Sequence, residues 1–232
     1  MLLYGLHAAE AALGNSKRAI LRVLATENAA QRLAPLLAKR GLKVEPAIPK
    51  DLDRLLGADA VHQGVALEAE PLLPASLDEV DPNGILLVLD QVTDPQNAGA
   101  ALRSAAAFGA AGLVMTERHS PPLSGALAKA ASGALDIVPV ILVKNLAQAL
   151  TELGERGVLR VGLAEGADIA LESAQLTRPL ALVLGAEGKG LRQLTREHCD
   201  LLCRISTQSA LASLNVSNAA AIALHWASLN AR

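Results

Sequence analysis

Short apolar runs alternate with helix-period segments along almost the whole chain, and this alternation is the main structural signal. GLHAAEAALGN, from Gly5, reads as a short helix closed by Gly14 or Asn15, and Ala19–Leu24 as a strand with apolar alternation. Over Ala29–Arg40 the spacing puts Leu33, Leu36 and Leu37 on one helical face, with Gly41 at the expected stop. LKVEPAI is strand-like, KDLDRLLG a second short helix and GVALEAE a closing strand, with His62-Gln63-Gly64 in the turn before it. The pattern predicts an αβαβαβ unit over residues 1–70, large enough to be a domain.

Pro71–Gly84 breaks the pattern with prolines and acidic groups and reads as a semi-rigid linker, residues 71–84. Beyond it, over residues 85–232, ILLVLD is a continuous apolar run of the kind found in strands buried on both faces of a parallel sheet. The loop QVTDPQ leads to a small-residue helix, Asn97–Phe108, stopped by Gly109. Strands GLVM, DIVPVILV, VLRVGLA, LALVLG and LLCRIS then alternate with helices LSGALAKAAS, NLAQALTELGERG and GLRQLTREH, and a long C-terminal helix ends the chain. The expected fold class is α/β with a mostly parallel sheet. Ligands of such sheets sit at the carboxyl ends of strands, which singles out the loops after Asp90, Leu184 and Ile205.

Composition narrows the options. Hydrophobic residues make up 51% of the 232 and aromatic residues 1%, so the core has to be aliphatic. Tyr4, Phe108 and Trp226 are the whole aromatic supply, which excludes recognition of single strands on stacked aromatic platforms. A net charge of −2 argues against a nonspecific polyanion binder but leaves a specific RNA enzyme open. Lys17, Arg18, Arg22, Arg32, Lys39, Arg40 and Lys43 form either a local basic patch or an ordinary solvated surface. No apolar run reaches the length of a membrane span and MLLYGLHAAE lacks a signal-peptide pattern, so a soluble cytoplasmic protein is expected. Cys199 and Cys203 are too few for a disulfide framework, and beside His198 they lack a nearby fourth ligand for a metal, so none is expected.

The polar positions then point to chemistry. Ser213, Asn215, Ser217 and Asn218 crowd the junction between a polar loop and the C-terminal helix, where they can cap the helix or hold a ligand. GAEGKG, with Gly185, Gly188 and Gly190 around Glu187 and Lys189, is either a ligand loop or a plain tight turn; its spacing fits neither the dinucleotide nor the phosphate-loop fingerprint. That mismatch disfavours a nucleotide-dependent oxidoreductase. Arg103 is a lone cation in an alanine-rich helix. It shares a side with Asn97, six residues earlier, only if Asn97 belongs to the helix cap rather than its body.

In order and at these separations, DPQNAGAALRSAAAFG, LVLGAEGKGL and SLNVSNAAAIAL resemble the three signature motifs of the SpoU (TrmH-like) class of SPOUT RNA 2′-O-ribose methyltransferases. YGLHAAEAAL, HQGVAL, KAASGALDIVPV and LTREHCDLL extend the resemblance to the branch acting on guanosine of bacterial 23S rRNA, over essentially the whole chain. It implies a C-terminal SPOUT α/β trefoil-knot domain, a rare exception to unthreaded chains, and a small N-terminal L30e-like α/β domain that binds substrate RNA. It also implies S-adenosyl-L-methionine as methyl donor and a homodimer. Asn97, Arg103, Glu187, Ser213 and Asn215 match the family's catalytic positions, and Leu184, Gly185, Ile205 and Leu214 its cofactor-binding positions.

The residue types suit the reaction. A 2′-hydroxyl is a weak nucleophile until its proton is drawn away, while the donor's methyl is already activated, so positioning is most of the task. The resemblance implies Arg103 as the proposed base, yet a guanidinium gives up its proton only with great difficulty; clamping a phosphate is the alternative role. Where the family has a proline, a methionine-like residue and a glycine, this chain reads Ser206, Thr207, Gln208, Ser209. A tRNA ribose as target, or an RNA-binding protein whose cofactor loop has decayed, are the other readings.

Overall fold

The structure is a computed structural model describing residues 1–123, 125–208 and 213–232. The N-terminal part consists of β1 (Leu2–Tyr4), α1 (Leu6–Gly14), β2 (Ile20–Ala25), α2 (Glu27–Arg40), β3 (Glu45–Pro46), α3 (Pro49–Leu56) and β4 (Val65–Ala69). Its sheet has the order β1-β4-β2-β3. β4 runs antiparallel to β1 and β2, and β3 parallel to β2. The leading strand was not anticipated, because three residues are too few to display a period. LKVEPAI contributes only Glu45–Pro46, both exposed. Pro46 has no N–H to give to a ladder, which confines this segment to the sheet edge. α2 ends as its sequence requires: Gly41 is left-handed (φ 63°, ψ 25°) and its N–H reaches the carbonyls of Ala38 and Leu37.

The second part comprises β5 (Ile85–Asp90), α4 (Pro95–Ala107), β6 (Gly112–Thr116), α5 (Gly125–Ala131), β7 (Val140–Val143), α6 (Leu146–Glu155), β8 (Leu159–Leu163), β9 (Ile169–Ala170), β10 (Leu180–Gly185), α7 (Gln193–Glu197), β11 (Leu201–Arg204) and α8 (Val216–Asn230). The strand order is β7-β6-β5-β10-β8-β11-β9, and every pairing is parallel. Period-2 alternation sorts β5 between two cores. Ile85, Leu87 and Leu89 join the core that contains Ala98, Ala101 and Leu102 of α4 and Ala220 and Leu224 of α8. Leu86 and Val88 face the opposite core, with Leu146, Leu150 and Leu153 of α6. That double burial is why ILLVLD carries no polar alternation before Asp90. Among the described residues no helix is long and apolar enough to cross a membrane.

Three expected elements are shorter than their apolar runs. DIVPVILV begins pairing only at Val140, because Asp136 closes the 3-10 turn Ala134–Asp136 and Pro139 cannot donate. GLRQLTREH is helical only over Gln193–Glu197, since Gly190 and Leu191 complete the preceding loop. The helix expected over LSGALAKAAS is seen as Gly125–Ala131, and Ser124 lies outside the described residues.

The proline-rich stretch is more than a spacer. Ala75 donates its N–H to the Val140 carbonyl (2.9 Å) and bridges in parallel to Ile141, extending the sheet beyond β7. Next comes the 3-10 turn Leu77–Glu79, where Ser76 N and Oγ each lie 3.1 Å from Glu79 Oε1. Asp78 pairs with Arg156 of α6 at 2.7 Å.

Both cysteines pack near β8 and β11, Cys199 half-buried and Cys203 in the core. Cys203 is fully buried, and Cys199 Sγ donates to the Thr195 carbonyl at 3.2 Å. Burial pushes the Cys199 thiol up to about 12, and burial raises Cys203 as well. With a pKa about 12, roughly one Cys199 in 10⁴ is thiolate at pH 8. Alkylation by iodoacetamide at pH 8 is expected to be slow in native protein and rapid in urea, as read by mass spectrometry; fast native labelling of Cys199 would contradict this burial.

Candidate active site

Parallel strands present their carboxyl ends along one edge of the sheet, and a cavity of about 530 Å³ opens there. Its walls are Leu163–Gly166 after β8, Leu184–Leu191 at the end of β10, Arg204–Thr207 after β11, and Ser213 and Leu214 leading into Val216 and Ala219 of α8. Two of the three loops expected to form a site, those after Leu184 and Ile205, line this cavity. The third wall is the segment after β8, which the sequence did not single out. Instead of lining the cavity, the loop after Asp90 supports it. Asp90 is fully buried, and its oxygens accept from Arg192 Nε at 2.7 Å and Arg192 N at 3.1 Å, tying the end of β5 to the exit of the glycine loop. A carboxylate ending an otherwise apolar strand was the one visible signal for this anchor.

The glycine loop is at once a tight turn and part of the cavity. Gly190 N donates to the Ala186 carbonyl at 2.8 Å, folding the loop back on itself. A Cβ at Gly185 would lie 2.0 Å from the Gly190 carbonyl carbon, so no side chain fits where the loop closes. The cavity lining includes all four expected cofactor positions, Leu184, Gly185, Ile205 and Leu214. Glu187 and Ser213 line it too.

Next to this cavity three side chains from distant parts of the chain meet. Asn215 caps α8, its Oδ1 accepting from Ser217 N at 2.9 Å and Asn218 N at 3.4 Å. The other end of the same amide, Nδ2, donates to Asn97 Oδ1 at 2.8 Å and to Glu187 Oε1. Asn97 Nδ2 donates to that same Glu187 oxygen at 3.0 Å, and Val216 N reaches it at 3.4 Å. Capping and site building are thus performed by opposite ends of one side chain.

Arg103 does not join them within the chain. Asp94 caps α4 and Pro95 opens it, which places Asn97 in the helix body. Six residues on, Arg103 is then about 120° around the helix from Asn97. It follows Gly99 by one helical turn, and a Cβ on Gly99 would meet Ala130 Cβ at 2.5 Å, so Arg103 sits toward the α5 side of α4. Asn97 is on the side of α8, where Phe108 also packs against His225 with centroids 5.4 Å apart and the rings tilted by 58°. The Arg103 side chain is exposed.

The unusual serine segment has a partner of its own. Ser206 Oγ donates to Glu172 Oε2 at 3.0 Å and Ser206 N to Oε1 at 3.4 Å, while Ser209 lies outside the described residues. A hydrogen bond from its own backbone, then those from Ser206, hold the Glu172 carboxyl below the usual range against the effect of burial. Glu172 follows β9 in a 3-10 turn, and nothing in its local sequence marked it.

Residues 84–225 match the model of the SpoU rRNA Methylase family, and residues 2–75 match that for RNA 2′-O ribose methyltransferase substrate binding. The chain belongs to the SpoU rRNA Methylase family. Among curated relatives, the 23S rRNA (guanosine-2′-O-)-methyltransferase RlmB of Yersinia pestis is 42% identical over 234 residues, covering 96% of this chain and 94% of that protein. The protein of the same name from Pectobacterium atrosepticum is 40% identical over 96% of this chain and 95% of its own length. Of solved structures, the SpoU methyltransferase AviRb from Streptomyces viridochromogenes in complex with AdoMet covers all of this chain (100%) and 91% of its own, with a TM-score of 0.80 and 24% identity, a likeness of fold.

Asn215 offers a direct test of the amide cluster. Asn215→Ala removes cap and cross-link together and is expected to lower the unfolding free energy by about 1 kcal/mol. Asn215→Asp keeps the capping oxygen but sets a second carboxylate beside Glu187. Its deficit in urea melts at pH 7 should therefore shrink as salt is raised and screens the repulsion; a deficit independent of salt would show that the Asn215–Glu187 contact is weak.

Proposed function

We propose that this chain transfers a methyl group from S-adenosylmethionine to the 2′-hydroxyl of a guanosine in 23S rRNA. The supporting observation is that Glu187 belongs both to the cavity lining and to the hydrogen-bonded group with Asn97 and Asn215. The names carried by the curated relatives supply the substrate. The residues present suit the donor. A volume of about 530 Å³ falls within the range of small-molecule sites, roughly 300–1,000 Å³. Leu163, Leu184, Ile205 and Leu214 offer apolar surface for a nucleoside base, and Gly185, Gly188 and Gly190 let backbone approach it without a side chain. Glu165 and Glu187 complement a cationic donor, while Arg196 and Arg204 complement its carboxylate.

The bound donor supplies a methyl activated by sulfonium; the chain's own task is to bring one ribose to it. Asn97 and Asn215, each with its amide orientation set by Glu187, form a preorganised polar corner for that ribose, and Ser213 adds a hydroxyl from the cavity wall. Arg103 is exposed on the α5 side of α4, and a guanidinium so placed binds an RNA phosphate beside the target nucleotide better than it removes a proton. Residues 1–70 form the RNA-binding unit, 71–84 the connection and 85–232 the methyl-transferring unit. Two copies pair through an apolar face that includes Ile222 and Leu229 of α8, which are 42% and 71% exposed.

Transfer of tritium from labelled S-adenosylmethionine to 23S rRNA tests the activity, and mapping 2′-O-methyl sites in RNA from a deletion strain distinguishes a ribosomal from a transfer-RNA target. Arg103→Ala is expected to lower the transfer by at least about 10²-fold while calorimetric binding of S-adenosylhomocysteine is unchanged. Full activity in Arg103→Ala removes the assignment of that residue, and failure of the wild-type chain to bind S-adenosylhomocysteine at millimolar concentration removes the methyltransferase reading.

A further inference from the structure

One buried ionic group lies outside the site, at the junction of the two sheets. Arg18, in the turn between α1 and β2, and Asp136, at the end of the 3-10 turn after α5, each have a side chain 1% exposed. Their contact is bidentate, with Nε to Oδ1 at 2.8 Å and Nη2 to Oδ2 at 3.0 Å. Arg18 Nη1 donates to the Glu70 carbonyl at 2.8 Å, and Asn15 Nδ2 donates to Asp136 Oδ1 at 3.1 Å. Arg40 braces the turn from behind, donating to the carbonyls of Asn15 (2.6 Å) and Arg18 (2.5 Å). On the α1 side the surfaces fit closely, while a cavity of about 610 Å³ opens beside Arg18, Asp136 and residues 70–75. Gly133 has φ +94°, and a Cβ there would be 2.9 Å from both the His7 carbonyl oxygen and Ala11 Cβ of α1.

We propose that Arg18 is a positioning residue: with Asp136 it locks the N-terminal unit at one angle to the catalytic sheet and so selects which nucleotide of a bound RNA reaches the cavity. Apolar packing could join two surfaces at lower desolvation cost, so stability alone does not account for a buried ion pair. What the planar fork adds is direction: a bidentate guanidinium–carboxylate contact has one geometry, and rotation of either unit breaks it and strands a charge. The connecting segment is restrained to match, through Ala75 on β7 and a Lys17–Glu79 pair at 3.9 Å. The joint follows from these contacts alone, whereas its effect on nucleotide choice rests on the methyltransferase reading above.

Two measurements separate these claims. Glutamyl endopeptidase cleaves after acidic residues, and Glu70 and Glu79 flank the connection; cleavage there is expected to be slow in the wild type and at least about tenfold faster in Arg18→Lys, which keeps the charge but loses the fork. Arg18→Ala, if it folds, should behave the same way, and the exchanged pair Arg18→Asp with Asp136→Arg should recover part of the protection. In methyl transfer, Arg18→Lys should lower kcat/KM for RNA by about 10²-fold, chiefly through KM, and methylate neighbouring nucleotides, with S-adenosylhomocysteine affinity unchanged. Unchanged cleavage in Arg18→Lys overturns the joint. Faster cleavage with unaltered kcat/KM and target site overturns the positioning role. A wild-type chain without methyl transfer overturns the proposed function instead, and cleavage alone then decides the joint.

Discussion

Insertion of β10 between β5 and β8 is the constraint from which the rest follows. Because all three strands run parallel, the ends of β5, β8 and β10 arrive together, with Gly185 paired in register to Asp90. That adjacency lets the buried Asp90 carboxylate hold Arg192, which in turn holds the far side of the glycine loop. The same adjacency puts Glu187 within reach of Asn97 at the start of α4 and of Asn215 at the start of α8. Without it, three polar segments separated by 90 and 28 residues would have no reason to meet.

What they build is stiff at its base and open at its rim. The glycine loop is closed by its own hydrogen bond and anchored through Arg192, and Asn215 is held at both ends of its amide. Yet Glu187, Ser213 and Asn215 remain exposed, which the proposed role toward a ribose on a large RNA requires. Arg103 is displaced around α4 from this group for a purely geometric reason: Asp94 takes the cap, which moves Asn97 one turn into the helix. A role toward RNA phosphate agrees with that displacement better than a role in proton removal.

Between the two sheets the same economy of small residues recurs. Gly133 and Ala11 let α1 approach the turn after α5 closely, and the Arg18–Asp136 pair is buried where they meet. The hydrophobic core is continuous across this boundary, with Leu3 and Leu13 in one cluster with Leu87 and Leu102. The N-terminal unit is thus packed onto the seven-stranded sheet, and the acidic, proline-rich connection lies along the sheet edge.

The chain alone determined the order and type of nearly every element, because hydrophobic periodicity is local and reports burial directly. ILLVLD, LALVLG and the Leu33/Leu37 face show this best. It also determined the family, since three motifs in order are a linear property. Short edge strands such as Leu2–Tyr4 and Ile169–Ala170 escaped it, being too brief for any period. Tertiary structure decided what depends on strand order: that the segment after Leu163 forms a wall, that Glu172 takes Ser206, that Asp90 meets Arg192, and that Arg18 finds Asp136 118 positions away. A hydrogen bond between distant residues leaves no periodic trace in the sequence; it exists only once parallel pairing has brought its two ends to the same place.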